Sequence, residues 1–362
     1  MNVLTLITTL CGLIVSTTAI EYFYRIYKWR TSFRTIFQKS KLKGLLYELK
    51  PNVKKYYKGE DYDKKILYQT NKYGQRSPDF DLANRDGKRI LVIGDSIPFG
   101  FGVEEKCTFS RYLEKNLNKL GIKTNVINTG TGTYNIIQDY WYLKHKGKIF
   151  NPDLVVLSLN LSNLIISSDW IFDTKKNYVR VRYPEKVKFK SNTKGTFGGK
   201  FSLVGKYLDK LYLFRFIIKP FLANKFADQK ISKKIGNIDQ IKKYVEIYNS
   251  KTDKEFKRRL EFISKINDEC QHISARLLIL ICPFTSQLEN NFKNVTLPQE
   301  VIILYCKKNA VNAIDVLNLF QDIRNTNLIG RYYFDEVHLT AKGHEVVAKE
   351  LTNISQQILR VS

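Results

Sequence analysis

Three side chains in this sequence could together carry out nucleophilic chemistry. Ser96 lies in ILVIGDSIPFGFGV (residues 90–103), where an apolar, β-branched run breaks into Gly94-Asp95-Ser96. A serine placed there sits at the carboxyl end of a strand, where open α/β sheets collect their ligands. Asp335 and His338 are three apart in YYFDEVHLTAKGH, just before a helical C-terminus. At that spacing in one turn the carboxylate can accept the Nδ1 proton of the same imidazole, leaving Nε2 to face a nucleophile. The chain has only four histidines (His145, His272, His338, His344), so one preceded by an acid carries weight. Each piece alone also reads as ordinary structure. Gly, Asp and Ser are common turn residues, and an Asp before a helix is a common cap. Together they supply the nucleophile, base and orienting acid that a triad needs.

The elements that must position these groups follow from periodicity. From Lys88 onward, strand-like and helix-like stretches alternate. Arg89–Ile93 precedes helical TFSRYLEKNLNKLG, and Lys123–Asn128 precedes NIIQDYWYLKHKGK. PDLVVLSLN (Pro152–Asn160) is a third strand. Later come helical KEFKRRLEFISKINDEC, the strand ARLLILICP, helical PQEVIILYCKKN and a short strand over Ala313–Val316. The closing helix TAKGHEVVAKELTNISQQIL spaces Val347, Leu351, Ile354 and Ile358 on one face, with Thr340 as its N-cap. The expected fold is a three-layer α/β/α sandwich around a parallel sheet of about five strands.

Composition constrains the rest. With 43% hydrophobic and 13% aromatic residues the chain is too apolar for disorder. The formal charge is +26, and residues 175–259 hold 24 Lys and Arg against 7 Asp and Glu. Such an excess suits an anionic partner, yet no nucleic-acid motif or aromatic-basic ladder accompanies it, so nucleic acid is not expected. Five scattered cysteines, without a C-x-x-C pair or a clustered Cys/His set, indicate neither zinc nor a disulfide framework. The first twenty residues, MNVLTLITTLCGLIVSTTAI, carry no charge and are followed by EYFYRIYKWR. That pattern leads us to expect a retained, single-pass transmembrane anchor over 1–22. A cleaved signal peptide is the competing reading, weakened by the missing basic n-region and a poor cleavage site near Thr17–Ala19. A basic connector over 23–65 and a catalytic domain over 66–362 complete the expected organisation. The domain carries an insertion at about 168–249, which holds KSNTKGTFGGK and the amphipathic SLVGKYLDKLYLFRFIIKPFLANKF. That run reads either as a lid packed on the domain or as a membrane-surface helix.

The strand-terminal GDS and the D-x-x-H before the last helix resemble the SGNH/GDSL hydrolase family, over most of residues 70–360. Gly94-Asp95-Ser96 with Gly100 matches the first block, and NTGTGTYNIIQ supplies Asn128, Gly130, Tyr134 and Gln138 for the second. Thr133 fills the oxyanion-glycine slot, with Gly132 beside it. In PDLVVLSLNLSNL, Asn163 takes the asparagine position, Ser162 and Leu164 replace the usual Gly and Asp, and Asn160 is the alternative if the register slips. NKYGQR (Asn71–Arg76) is similar to a lead-in of bacterial members with an N-terminal membrane helix, which are often linked to acylation of envelope polysaccharide.

The resemblance implies a flavodoxin-like SGNH fold, no cofactor and no metal. Ser96 would be the nucleophile, His338 the general base and Asp335 its orienting partner. The Ser96 and Thr133 amides and the Asn163 side chain would bind the oxyanion. The implied activity is ester hydrolysis or O-acyl (acetyl) transfer on an acylated glycan or lipid, with protein partners unknown. The alternative is a catalytically weak, membrane-anchored assembly or polysaccharide-binding subunit that retains the fold. The α/β-hydrolase elbow G-x-S-x-G is not matched, since Pro98 stands where its second glycine belongs. The basic flank after residue 20 argues for a cytoplasmic domain, whereas the resemblance implies the extracytoplasmic face, which we favour. A fluorophosphonate is expected to modify Ser96 alone; labelling that survives Ser96→Ala, read by mass spectrometry, would refute the assignment.

Overall fold

The computed structural model describes residues 2–57, 65–165, 169–174, 178–182, 238–250, 253–289, 294–323 and 329–360. The chain divides into two compact units, and the described part of the first is an N-terminal helix. This helix, α1 (Val3–Thr31), has 29 residues and is about 43 Å long at 1.5 Å per residue. Among the described residues no helix is long and apolar enough to cross a membrane. Residues 3–20 carry no charged side chain, and hydroxyl residues occur among them at Thr5, Thr8, Thr9, Ser16, Thr17 and Thr18. The hydroxyls of Thr8, Thr9 and Ser16 are satisfied by carbonyls of their own helix.

The second unit begins at Ile36. Much of the stretch expected as connector is folded within it. Strands β1 (Phe37–Lys39) and β2 (Tyr47–Leu49) pair antiparallel, as do β3 (Lys54–Tyr57) and β4 (Ile66–Gln69). Phe37, Tyr47 and Leu49 are buried, and the Phe37 and Tyr47 rings meet edge to face at 5.5 Å.

The sheet that follows consists of β5 (Lys88–Gly94), β6 (Thr124–Asn128), β7 (Leu154–Asn160), β10 (Arg276–Cys282) and β11 (Asn312–Asp315). Its order is β6-β5-β7-β10-β11 and every pair is parallel. The remaining pair, β8 (Asp169–Asp173) and β9 (Tyr178–Arg182), is an antiparallel hairpin in the insertion. The strands are short apolar runs because both sheet faces are covered. Ile90, Val92, Leu154, Val156, Leu278 and Leu280 point to one face, against α3 (Phe109–Lys119) and the C-terminal helix. On the opposite face, α6 (Phe262–His272) buries Ile263 and Ile266. The result is the expected three layers. β6 lies on one side of β5 and β7 on the other, so the chain reverses its direction of progress at β5. The carboxyl end of β5, where Ser96 follows, is therefore the topological switch point at which such sheets form their crevice.

Two expected helices are shorter than the sequence pattern suggests. The run after β6 is α-helical only over α4 (Ile136–Tyr142) before its turns widen. KEFKRRLEFISKINDEC breaks at Glu261 into Lys254–Leu260 and α6. Within the insertion, α5 (Ile238–Asn249) is described, whereas KSNTKGTFGGK and the amphipathic run after it lie outside the described residues. The last three helices used below are α7 (Thr285–Glu289), α8 (Leu297–Lys308) and α9 (Ala341–Arg360).

His344 ties α9 to α3. Its ring is 1% exposed, its Nδ1 accepts the Phe109 N–H at 3.2 Å, and burial pushes its pKa down to about 3. A base depressed in the fold takes up its proton in the unfolded chain first. Stability from this group is therefore complete above about pH 6.5 and declines as pH falls toward 3. His344→Ala should lower stability at pH 7 by about 1–3 kcal/mol, because the Phe109 amide loses its acceptor. It should also flatten the acid limb of the stability–pH curve, which denaturant titration at several pH values would read.

Candidate active site

The turn into α2 (Ser96–Phe99) is built by its own side chains. Asp95 is the N-cap: its Oδ1 accepts the Ile97 N–H at 2.9 Å. Gly100 ends the helix at φ 77°, and an added Cβ there would lie 2.4 Å from the Thr108 methyl. This short helix leaves Ser96 half-buried at its first position.

Arg76, the last residue of the NKYGQR lead-in, locks that helix from below. It is fully buried, and its guanidinium donates to the carbonyls of Phe99 (2.7 Å), Gly100 (2.5 Å) and Val103 (2.5 Å). It also lies over the Tyr68 and Phe99 rings, 4.5 and 4.9 Å from their centroids. Burial lowers its pKa to about 10, which still leaves it charged at neutral pH. Asn71 shapes the turn that delivers Arg76, accepting the N–H groups of Tyr73 and Gln75, each at 3.0 Å. Asn128 fastens the other side by donating to the Pro98 carbonyl at 2.6 Å. Gly130 permits this approach, since a Cβ would sit 2.4 Å from the Phe99 nitrogen.

Across the sheet edge, the loop before α9 brings His338 and Asp335 to Ser96. His338 Nε2 is 2.8 Å from Ser96 Oγ, and His338 Nδ1 is 2.6 Å from Asp335 Oδ2. Asp335 Oδ1 accepts the Val337 and His338 amides at 2.9 and 2.8 Å. Burial alone would raise the Asp335 pKa, but the His338 ring and these amides outweigh it and bring the carboxyl below its usual range. An ionised Asp335 holds the proton on Nδ1, so Nε2 is the acceptor for the serine hydroxyl. Phe101 and Phe334 flank the imidazole, with ring centroids 4.9 and 5.9 Å away. Glu336, inside the same motif, accepts the Thr285 hydroxyl at 3.2 Å and also the Ser286 hydroxyl, while its backbone carbonyl accepts the Thr285 amide at 2.9 Å. Glu336 therefore anchors the His338 loop to the start of α7.

Of the three expected oxyanion donors, Ser96 opens α2, Thr133 lies in the turn after β6, and Asn163 reaches Asp95, the residue before Ser96. The Ser96 and Thr133 amides have no acceptor among the described residues. Thr133 lies in a turn closed by the Tyr134 N–H on the Thr131 carbonyl at 3.1 Å, with φ 73°. A β-branched residue is a genuine outlier there, at a cost of about 1–2 kcal/mol. Asn163 donates to Asp95 Oδ2 at 3.1 Å and to the Tyr134 carbonyl at 3.2 Å, so both its amide hydrogens are engaged within the chain. Asn160 also donates to Asp95 Oδ2, at 2.6 Å, and its Oδ1 caps the turn by accepting the Ser162 amide at 2.8 Å. Burial raises the Asp95 pKa, opposed by the Ile97 amide, Asn163, His338 and Asn160. His145 is half-buried and bonded to the Lys43 carbonyl, His272 is exposed, and neither is bonded to this arrangement.

Sequence reasoning quoted Arg76 without a role and missed Tyr47, Phe101 and Glu336. Glu336 could have been found, since it lies between the two motif residues. Tyr47 had no local signal: its hydroxyl is 2.5 Å from Thr133 Oγ1, across 86 residues of sequence.

No protein-family model matches the sequence, and no curated protein matches it either. Among solved structures, the chain is similar to an acetyl-xylooligosaccharide esterase from Geobacillus stearothermophilus, at 12% identity and a TM-score of 0.42, over 74% of this chain and 94% of that one. It is similar to a lipolytic protein of the G-D-S-L family from Desulfitobacterium hafniense, at 10% identity and a TM-score of 0.39, over 74% and 99%. A third is an α/β hydrolase enzyme from the metagenome of Lake Arreo, at 10% identity and a TM-score of 0.40, over 77% and 99%.

Arg76→Lys should test how far the nucleophile turn depends on its buried fork. A lysine keeps the charge but cannot span three carbonyls. We expect the melting temperature to fall by about 5 °C or more and fluorophosphonate labelling of Ser96 to slow. An unchanged melting curve would show that the turn holds itself.

Proposed function

We propose that the chain is a serine ester hydrolase of the SGNH/GDSL type. The observation that carries this reading is the relay from Asp335 through His338 to Ser96, with contacts of 2.6 and 2.8 Å. In the proposed cycle Ser96 Oγ attacks the ester carbonyl carbon while its proton passes to His338 Nε2. Negative charge develops on the former carbonyl oxygen, which faces the Ser96 and Thr133 amides. Each such donor is worth roughly 3 kcal/mol of barrier. The C–O bond then breaks and the leaving alcohol takes the proton from Nε2. Water repeats the sequence in reverse, freeing the carboxylic acid and Ser96. If a sugar hydroxyl replaces water in the second half, the same groups perform O-acyl transfer.

The motif resemblance supports an acylated envelope glycan or lipid as substrate and an extracytoplasmic site of action. Protease added to intact spheroplasts would digest the domain there and spare it if it faced the cytoplasm. A second reading, a fold-retaining assembly or polysaccharide-binding subunit, draws on one observation. An oxyanion would have to displace Asn163 from the Tyr134 carbonyl before that side chain could help.

Hydrolysis of p-nitrophenyl acetate separates the two readings. The enzyme reading expects turnover that falls by about a thousandfold or more in Ser96→Ala. Equal rates in the two proteins would favour the binding subunit. Added sugar alcohol that diverts acetate into a new ester would identify transfer.

A further inference from the structure

We propose that Tyr47 is a positioning residue of the oxyanion turn, and that its hydroxyl is what allows a threonine to occupy that turn's left-handed position. The inference rests on the reading of Ser96 as an acyl-accepting nucleophile, and it adds a part from outside every motif quoted above.

The turn Thr131–Tyr134 places Thr133 third, at φ 73°, where glycine or asparagine is the residue normally suited. A residue held in this region persists only when its surroundings over-determine it. Relaxation toward negative φ would rotate the peptide plane that carries the Thr133 amide, and with it the donor aimed at the substrate oxygen. The first end of the turn is fixed to the nucleophile strand by the Thr131 N–H on the Gly94 carbonyl at 2.9 Å. The second end is fixed by the β1–β2 hairpin. Tyr47 OH shares a 2.5 Å hydrogen bond with Thr133 Oγ1, and Tyr134 OH donates to the Tyr47 carbonyl at 2.5 Å.

Tyr47 is itself immobile. It is 0% exposed, paired opposite Lys39 in the hairpin, and its ring packs edge-on to Phe37 and to Tyr134 at 5.5 and 5.3 Å. Burial raises its phenol above the ordinary value, so the group is a neutral hydroxyl across the working range of pH. Asn163 reaches the same turn through the Tyr134 carbonyl, so two of the three oxyanion donors are referenced to Tyr47. With glycine at the third position of the turn such a clamp would be superfluous. Here the hydroxyl of the intruding threonine is the handle by which it is held.

The test is a double-mutant cycle in the full chain with p-nitrophenyl acetate, read as kcat and KM alongside the melting temperature. Tyr47→Phe keeps the ring and removes the hydroxyl; kcat should fall about tenfold with KM unchanged. In a Thr133→Gly background, where no strain needs restraining, the same change should alter kcat by less than about twofold. If Tyr47→Phe compromises folding, Thr133→Val against Thr133→Ser asks the same question, and valine should lose more kcat. An equal fall in both backgrounds, or a lowered melting temperature with kcat intact, would overturn the inference and leave the ester-hydrolase reading standing. Absence of Ser96-dependent turnover in the wild type would instead remove that reading, and the inference with it.

Discussion

Ser96 Oγ and His338 Nε2 lie 2.8 Å apart although 242 residues separate them, and the surrounding structure can be understood as what that contact demands. One partner follows the strand at the switch point of the sheet; the other precedes the final helix. Neither end is rigid by itself. A four-residue helix has no cooperative strength of its own, so α2 depends on Arg76, Asn128 and the Asp95 cap. The Arg76 guanidinium would cost several kcal/mol if buried without partners. Three backbone carbonyls and two aromatic faces offset that cost, which makes Arg76 as much a consequence of the turn's exposed carbonyls as a cause of its shape.

The side of the turn that holds Asn163 is organised around a buried carboxyl group whose partners are uncharged donors. Asp95 accepts from Ile97, Asn160 and Asn163, so it joins the nucleophile turn to the end of β7. A second acid, Asp139 on α4, lies close to it and is also buried, with its pKa raised by burial and by Asp95. Two acids so near one another in low dielectric do not both ionise readily. The arrangement therefore favours a single charge at Asp95, where hydrogen-bond donors are concentrated.

His338 and His344 show how environment assigns roles to one residue type. Six residues apart, one stands at the site edge with a carboxylate on Nδ1, and the other is sealed between helices with a backbone amide on Nδ1. The first can accept a proton from serine. The second is held neutral down to about pH 3 by burial, so it serves packing and capping instead.

Much of this was legible in the sequence because it is local. Apolar runs of strand length, helical spacing in the closing helix, and the short motifs around Ser96, Asn163 and His338 all involve residues within one turn or one strand. Their physics is steric and periodic, so a linear reading reaches it. Two helices were overestimated because a continuous helical pattern does not reveal where turns widen or break. Contacts such as Tyr47 with Thr133 and Arg76 with the carbonyls after Ser96 were decided only by the tertiary structure. No local preference selects a tyrosine in a short hairpin as partner for a turn 86 residues away. That pairing exists because the fold buries Tyr47 beside the half-buried Thr133, and a buried polar group must find a partner wherever the fold brings one.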